Sequence, residues 1–175
     1  MNVTVLGAGT MGHGIAQVSA MAGHEVRMRD VEAELVEDGL GAIESNLAGG
    51  VERDKVTPAE KAATLDRIEG TTDLAAAVDG ADLVVEAVPE RMDVKKSTFE
   101  EVEAHAPADA VLASNTSSLS VTEIASVLDR PERALGTHFF NPVHIMSLVE
   151  VVVAERTAAE TVEFAEEFVD GVGKT

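Results

Sequence analysis

Short runs of β-branched and apolar residues alternate along the chain with segments whose apolar positions recur at helical spacing, the pattern of βαβ units that build a parallel sheet. Asn2 to Leu6 reads as the first strand, and it runs into Gly7-Ala8-Gly9-Thr10-Met11-Gly12-His13-Gly14, after which a helical pattern extends from Ile15 to about Ala22. Gly23-His24 interrupts it, Glu25 to Asp30 reads as a second strand, and a long helix is expected from Ala33 to about Arg53. Thr57-Pro58-Ala59-Glu60 is a capping box with Pro at the first helical position, so a further helix starts there and the chain makes a helical excursion after the second strand. Arg67 to Gly70 predicts a weak strand and Asp82 to Val88 a strong one, because Leu83-Val84-Val85 is a run of the kind buried on both faces. A helix from Asp93 to His105, a strand from Ala110 to Ser114 and a helix capped at Ser120 and ending near Leu128 follow. Strands from Ala134 to Phe140 and from Leu148 to Val153 come next, and Thr157-Ala158-Ala159-Glu160 predicts the cap of a last helix reaching Asp170.

The chain has 175 residues, which suits one domain, and no repeat or linker divides it. There is no Cys, which excludes disulfides, thiolate metal sites and a Cys nucleophile. No apolar run approaches the length of a membrane span, and the N-terminus lacks the pattern of a secretion signal, so the expectation is a cytoplasmic protein without membrane contacts. The 32 acidic residues outnumber the 13 basic ones, for a net charge of −19, and no cationic cluster is present to meet phosphates, so nucleic-acid binding is excluded. That acidity across a well-patterned domain is expected of a halophile's surface, where salt screens the self-repulsion. A helix in a parallel sheet is normally followed by another strand, so the sequence is expected to be part of a longer protein.

The glycine segment matches Gly7-x-Gly9-x-x-Gly12 between a strand and a helix, with acidic Asp30 at the end of the second strand, 18 positions after Gly12. Gly7 permits the tight turn, Gly9 lets the backbone approach a pyrophosphate, and Gly12 allows close helix–strand packing. The diphosphate would sit at a helix N-terminus, and Asp30 would accept hydrogen bonds from the adenine ribose and repel a 2′-phosphate, which favours NAD over NADP. The expected fold is therefore α/β of the Rossmann type: a doubly wound, mainly parallel sheet with a helical excursion after the second strand. Gly173-Lys174-Thr175 imitates the end of a phosphate-binding loop, but that motif needs Gly where Phe168 stands. Asn115-Thr116-Ser117 is an incidental glycosylation sequon. Asn115, Ser117, Ser118, His138, Asn141 and Glu150 fall at or near strand ends, and ligands of open α/β sheets bind beyond the carboxyl ends of parallel strands. Ser117, His138 and Asn141 are accordingly expected to converge beside the cofactor, with His138 as a base for a hydroxyl proton and Glu150 fixing its tautomer. His13, His24, His105 and His144 have no partner at a telling spacing, and no cluster suits a metal.

These residues carry a resemblance to a known family. Val3-Thr4-Val5-Leu6-Gly7-Ala8-Gly9-Thr10-Met11-Gly12, Asp82-Leu83-Val84-Val85-Glu86-Ala87, Asn115-Thr116-Ser117-Ser118 and His138-Phe139-Phe140-Asn141-Pro142 with Leu148-Val149-Glu150 resemble the N-terminal, NAD-binding domain of L-3-hydroxyacyl-CoA dehydrogenases, including 3-hydroxybutyryl-CoA dehydrogenases. The resemblance covers residues 1–175. It implies reversible, NAD-dependent oxidation of (S)-3-hydroxyacyl-CoA to 3-ketoacyl-CoA. His138 would be the base, paired to Glu150, and Ser117 and Asn141 would bond the substrate's C3 oxygen or the imidazole. Gly7, Gly9, Thr10, Met11, Gly12, Asp30 and Asn115 would meet the cofactor, with Glu90 and Lys95 lining its nicotinamide-ribose side. The excursion offers coenzyme A only Arg53 and Lys55 as cations. The family's C-terminal helical domain, which supplies dimer contacts, the acyl pocket and a further Asn, is absent from these 175 residues. A homodimer is implied only with that domain. The expectation is thus a dehydrogenase portion that binds NAD and is weakly active or inactive alone. The alternative is a free-standing NAD-binding module with a sensing or scaffold role and no turnover.

Overall fold

The computed structural model describes residues 1–175. Its centre is a seven-stranded sheet in the order β3-β2-β1-β4-β5-β6-β7. The strands are β1 (Asn2–Leu6), β2 (Glu25–Arg29), β3 (Ile68–Thr71), β4 (Leu83–Glu86), β5 (Val111–Ser114), β6 (Ala134–Phe139) and β7 (Val149–Val152). The first six run parallel, and β7 pairs antiparallel with β6, placing His138 opposite Glu150. The strand order reverses between β1 and β4, and that switch point opens a crevice at the carboxyl ends of both strands.

Alternation along the strands sorts side chains onto two faces, and each face builds its own core. Val3 and Val5 of β1, Leu83 and Val85 of β4 and Leu135 and Phe139 of β6 pack in one cluster with helices α1 (Gly12–Met21), α2 (Ala33–Glu52) and α7 (Ala159–Gly171). Leu6, Val84, Leu112 and Ala134 point the other way, against α4 (Leu74–Val78), α5 (Met92–His105) and α6 (Val121–Ala125). By the same alternation Glu86, Ser114, Gly136 and His138 belong to the second face. Helix α3 (Pro58–Leu65) closes the excursion, and Thr57 caps it reciprocally with Glu60 as the sequence predicts.

Several local readings change, among them the start of α1, which is at Gly12 rather than Ile15. Helix α4 was not expected; Asp73 starts it by accepting from Ala76 N, over a segment of five residues too short for a helical period to register. Helix α6 stops at Ala125 rather than near Leu128. The predicted cap at Thr157 does not form: its hydroxyl donates to Ala134 O and accepts from Ala154 N, so it ties the turn to β6, and Ala158 stands before α7 without a side-chain cap. Asp82 lies outside β4, where its carboxylate accepts from Asn2 N at 2.7 Å.

Candidate active site

The glycine loop is shaped by close approach on one side and openness on the other. Gly7 has φ +98°, and a Cβ there would stand 2.6 Å from Ala87 O, across the switch point. A Cβ on Gly12 would overlap the carbonyl oxygen of Gly7, so helix α1 rests directly on the turn. Gly9 faces open space, with no atom near its missing side chain. Thr10 is exposed, and Met11, which precedes α1, packs its side chain against the core. Of the chain's 32 acidic residues none falls in the first turn of α1 and no side chain caps it, so its positive dipole end is left for an anion, while His13 N is held by Gly9 O at 3.1 Å. His13 Nδ1 lies 2.8 Å from Gly9 O and braces the loop.

Asp30, half-buried just past β2, is fixed before any ligand arrives. One carboxylate oxygen accepts from Ala8 N and the other from Val31 N, each at 2.7 Å. Each oxygen keeps a lone pair for a ribose hydroxyl, and the charge beside the loop opposes a 2′-phosphate. A free helix end, an open Gly9 and a pinned carboxylate together fit a dinucleotide.

At the other side of the crevice, β6 and β7 hold His138 and Glu150 in register, with Nδ1 2.8 Å from Glu150 Oε2. The Phe140 ring lies against the imidazole, with centroids 4.4 Å apart. His138 and Glu150 line a cleft of about 230 Å³ with Thr116, Ser117 and Ser118. The Ser117 hydroxyl has no partner within the chain. Asn141 does not join this cleft: it is exposed beyond the end of β6, and its amide makes no hydrogen bond. The expected convergence of three residues is therefore a convergence of Ser117 and His138 alone, because the chain turns away at Asn141-Pro142 toward the loop buried at Val143.

Asn115, Glu90 and Lys95 are placed differently from residues that simply face a ligand. Asn115 Oδ1 accepts from Phe139 N at 2.9 Å, clamping β5 to β6, and its Nδ2 makes no bond within the chain. Lys95 is fully buried; its ammonium contacts Glu86 Oε1 at 2.7 Å, Glu90 Oε2 at 3.3 Å and Val88 O at 3.3 Å. Glu90, 38% exposed, is the part of this group that reaches the surface. Its Oε1 accepts from Thr116 Oγ1, Ser117 N and Ser118 N. Burial alone would raise the Glu90 pKa, but these three donors and the Lys95 charge prevail and hold it below the usual carboxylate value. Glu86, fully buried between β4 and β5, was not singled out from the sequence as a site residue. The available signal was a carboxylate on a strand buried on both faces, with a Lys nine positions on.

A family model described as the NAD-binding domain of 3-hydroxyacyl-CoA dehydrogenase matches residues 2–175. The 3-hydroxybutyryl-CoA dehydrogenase of Bradyrhizobium diazoefficiens is 43% identical over 172 residues, which is 98% of this chain and 58% of that protein. The 3-hydroxyadipyl-CoA dehydrogenase of Escherichia coli is 45% identical over 161 residues, 92% of this chain and 34% of that protein. The crystal structure of (S)-3-hydroxybutyryl-CoA dehydrogenase from Ralstonia eutropha superposes with a TM-score of 0.96 at 38% identity, covering 99% of this chain and 61% of that one. The chain thus spans between about a third and three fifths of the length of these relatives. With the glycine loop at the switch point and the match running over nearly every residue, the chain belongs to the 3-hydroxyacyl-CoA dehydrogenase family and corresponds to its NAD-binding domain.

Proposed function

We propose that this chain is the cofactor-binding and proton-transfer half of an NAD-dependent dehydrogenase that interconverts (S)-3-hydroxyacyl-CoA and 3-ketoacyl-CoA. The observation that carries the reading is the His138–Glu150 pair, 2.8 Å apart and beside the free Ser117 hydroxyl, at the same end of the sheet as the anion-ready glycine loop. NAD, when bound, supplies the hydride acceptor. Glu150 accepts from Nδ1–H, which leaves Nε2 as the proton acceptor and stabilises the imidazolium that forms. During oxidation the C3 hydroxyl proton passes to His138 Nε2 as the C3 hydrogen departs with its electron pair; in reduction the imidazolium returns that proton to the ketone oxygen. Ser117 donates to the C3 oxygen in both directions, and Asn141 joins it once the exposed start of the segment after β6 is covered.

The dyad is open to water, and the relatives carry much more chain than this one matches, so efficient turnover and homodimer formation are assigned to a C-terminal helical domain of the kind the family resemblance implies. A cytoplasmic location belongs to the same reading; no helix here is long and apolar enough to cross a membrane. The test is to join this chain to the C-terminal part of the Bacillus subtilis relative, which is 43% identical over 173 residues, and to follow NADH oxidation with acetoacetyl-CoA. Turnover with the thioester and none with a free 2-keto acid is expected; no turnover with any 3-ketoacyl-CoA would reject the reading.

A further inference from the structure

Lys95 is a buried cation between two carboxylates, and it joins two parts of the molecule that the catalytic reading treats separately. One carboxylate, Glu86, is locked by Lys95 Nζ and Val88 N on Oε1 and by Ser114 Oγ on Oε2, at 2.7, 2.8 and 2.6 Å. The other, Glu90, holds three donors of the loop after β5: the Thr116 hydroxyl at 2.6 Å and the amides of Ser117 and Ser118 at 2.9 and 3.2 Å. The segment that carries Glu90 begins at Ala87, whose carbonyl oxygen is the first atom a Cβ on Gly7 would meet across the switch point and whose N–H bonds Leu6 O at 2.7 Å. A connected path of backbone contact, ion pairs and charge-assisted hydrogen bonds therefore runs from the cofactor side of the crevice through Glu86, Lys95 and Glu90 to the backbone of Ser117.

We propose that Glu86 is a positioning residue: acting through Lys95 and Glu90, it sets where the Ser117 hydroxyl stands relative to His138 and to the glycine loop. The proposal rests on the reading of Ser117 as the group that meets the substrate's C3 oxygen. The physical case is that an exposed serine on a loop has no rigidity of its own, whereas a carboxylate taking two successive backbone amides fixes both peptide planes. That carboxylate is partly exposed, and it stays in place because it is one arm of an ion pair whose other arm is dry and fully bonded. Reaction centres tolerate little displacement, about 1 Å costing on the order of 100-fold in rate, so a device that fixes the hydroxyl has a function beyond stability. A structural pair alone would need only Glu86 and Lys95; the clasp on Thr116–Ser118 is the extra element.

The test uses the ¹⁵N-labelled chain and needs neither substrate nor turnover. In the wild type the Ser117 and Ser118 amides should be strongly downfield and slow to exchange, and their shifts should titrate with Glu90. Lys95→Met should move both resonances upfield, speed their exchange at least about tenfold, and raise the pH at which they titrate, because the attraction of the ammonium is lost. Glu86→Gln/Lys95→Met, which removes both buried charges together, should do the same while restoring most of the melting temperature lost in Lys95→Met. Ser114→Ala, a small change that only loosens Glu86, should shift the same two amides in the same direction and less. If these variants lower the melting temperature but leave the Ser117 and Ser118 signals and their titration unchanged, the network is structural only and the proposal is overturned. Should Lys95→Met and the double variant not fold, Ser114→Ala decides it by the same criterion. A fused enzyme that reduces no 3-ketoacyl-CoA while these shifts appear would reject the proposed function and leave the positioning of Ser117 standing.

Discussion

The two ends of the crevice are built by different means. Around the glycine loop the chain's own backbone does the work: Gly7 N bonds Arg29 O at 2.8 Å, Ala87 N bonds Leu6 O at 2.7 Å, and Asp30 accepts from Ala8 N at 2.7 Å. Around the dyad the side chains are in place but uncovered, with His138 18% and Glu150 55% exposed, the Ser117 hydroxyl free and Asn141 turned outward. Binding a dinucleotide diphosphate needs donors and close approach, which one βαβ unit can supply alone. Moving a proton and a hydride efficiently needs water excluded, which an open sheet edge cannot supply. The contrast fits the proposed division, in which this chain recognises the cofactor and additional polypeptide closes the reaction site.

The sharpest way to break this contrast is at the dyad. In the fused enzyme, His138→Gln should lower turnover about 10²–10⁴-fold while NADH affinity stays within about twofold, read from initial rates and a fluorescence titration. Equal losses in both would mean that the two ends are not separable. At the loop the reverse should hold: Gly12→Ala forces α1 off the Gly7 carbonyl and should weaken NADH binding by about 10–100-fold, since overpacking of this kind costs about 1–3 kcal/mol. Asp30→Ala should weaken NADH less, by about tenfold for one charged hydrogen bond, and should narrow the preference over NADPH. An unchanged preference would remove Asp30 from ribose recognition. The smallest effect concerns acid. Glu90 has a pKa lowered in the folded chain, so its contribution to stability is present above its unfolded-state value and is lost as the pH falls through the folded-state one. Melts of wild type and Glu90→Gln should therefore differ near neutrality and converge on acidification; a gap that widens in acid would contradict the hydrogen-bonded carboxylate.

Much of the cofactor end is legible in the sequence because it is local. Gly7, Gly9, Gly12 and Asp30 lie within one βαβ unit, and their spacing states the backbone geometry that the structure realises. The partnership of His138 with Glu150 is legible from residue type and proximity in sequence, while the antiparallel register that sets them opposite each other across residues 140–148 comes from the structure. What the sequence conceals is which polar residues face inward. Lys95 sits on a helix of charged residues where a solvated reading is natural, and only the packing of α5 against the sheet shows it to be fully buried. Asn141 conceals its direction because the path of an irregular segment depends on tertiary packing at Val143 and on Lys174, whose ammonium bonds the carbonyls of Val143 and Met146, each at 2.7 Å. Burial without a carboxylate partner lowers the pKa of that lysine.

The most direct measurement is a titration of the isolated 175-residue chain with NADH, in low salt and in about 1 M KCl, where screening reaches about 3 Å and relieves the repulsion among its surplus acids. It is followed by addition of acetoacetyl-CoA. Saturable NADH binding at a single site is expected, abolished or greatly weakened by Gly12→Ala, with little or no oxidation of NADH until the C-terminal part of a relative is supplied. Failure to bind NADH in either salt while the chain is folded would contradict the claim that the cofactor half is complete in these residues.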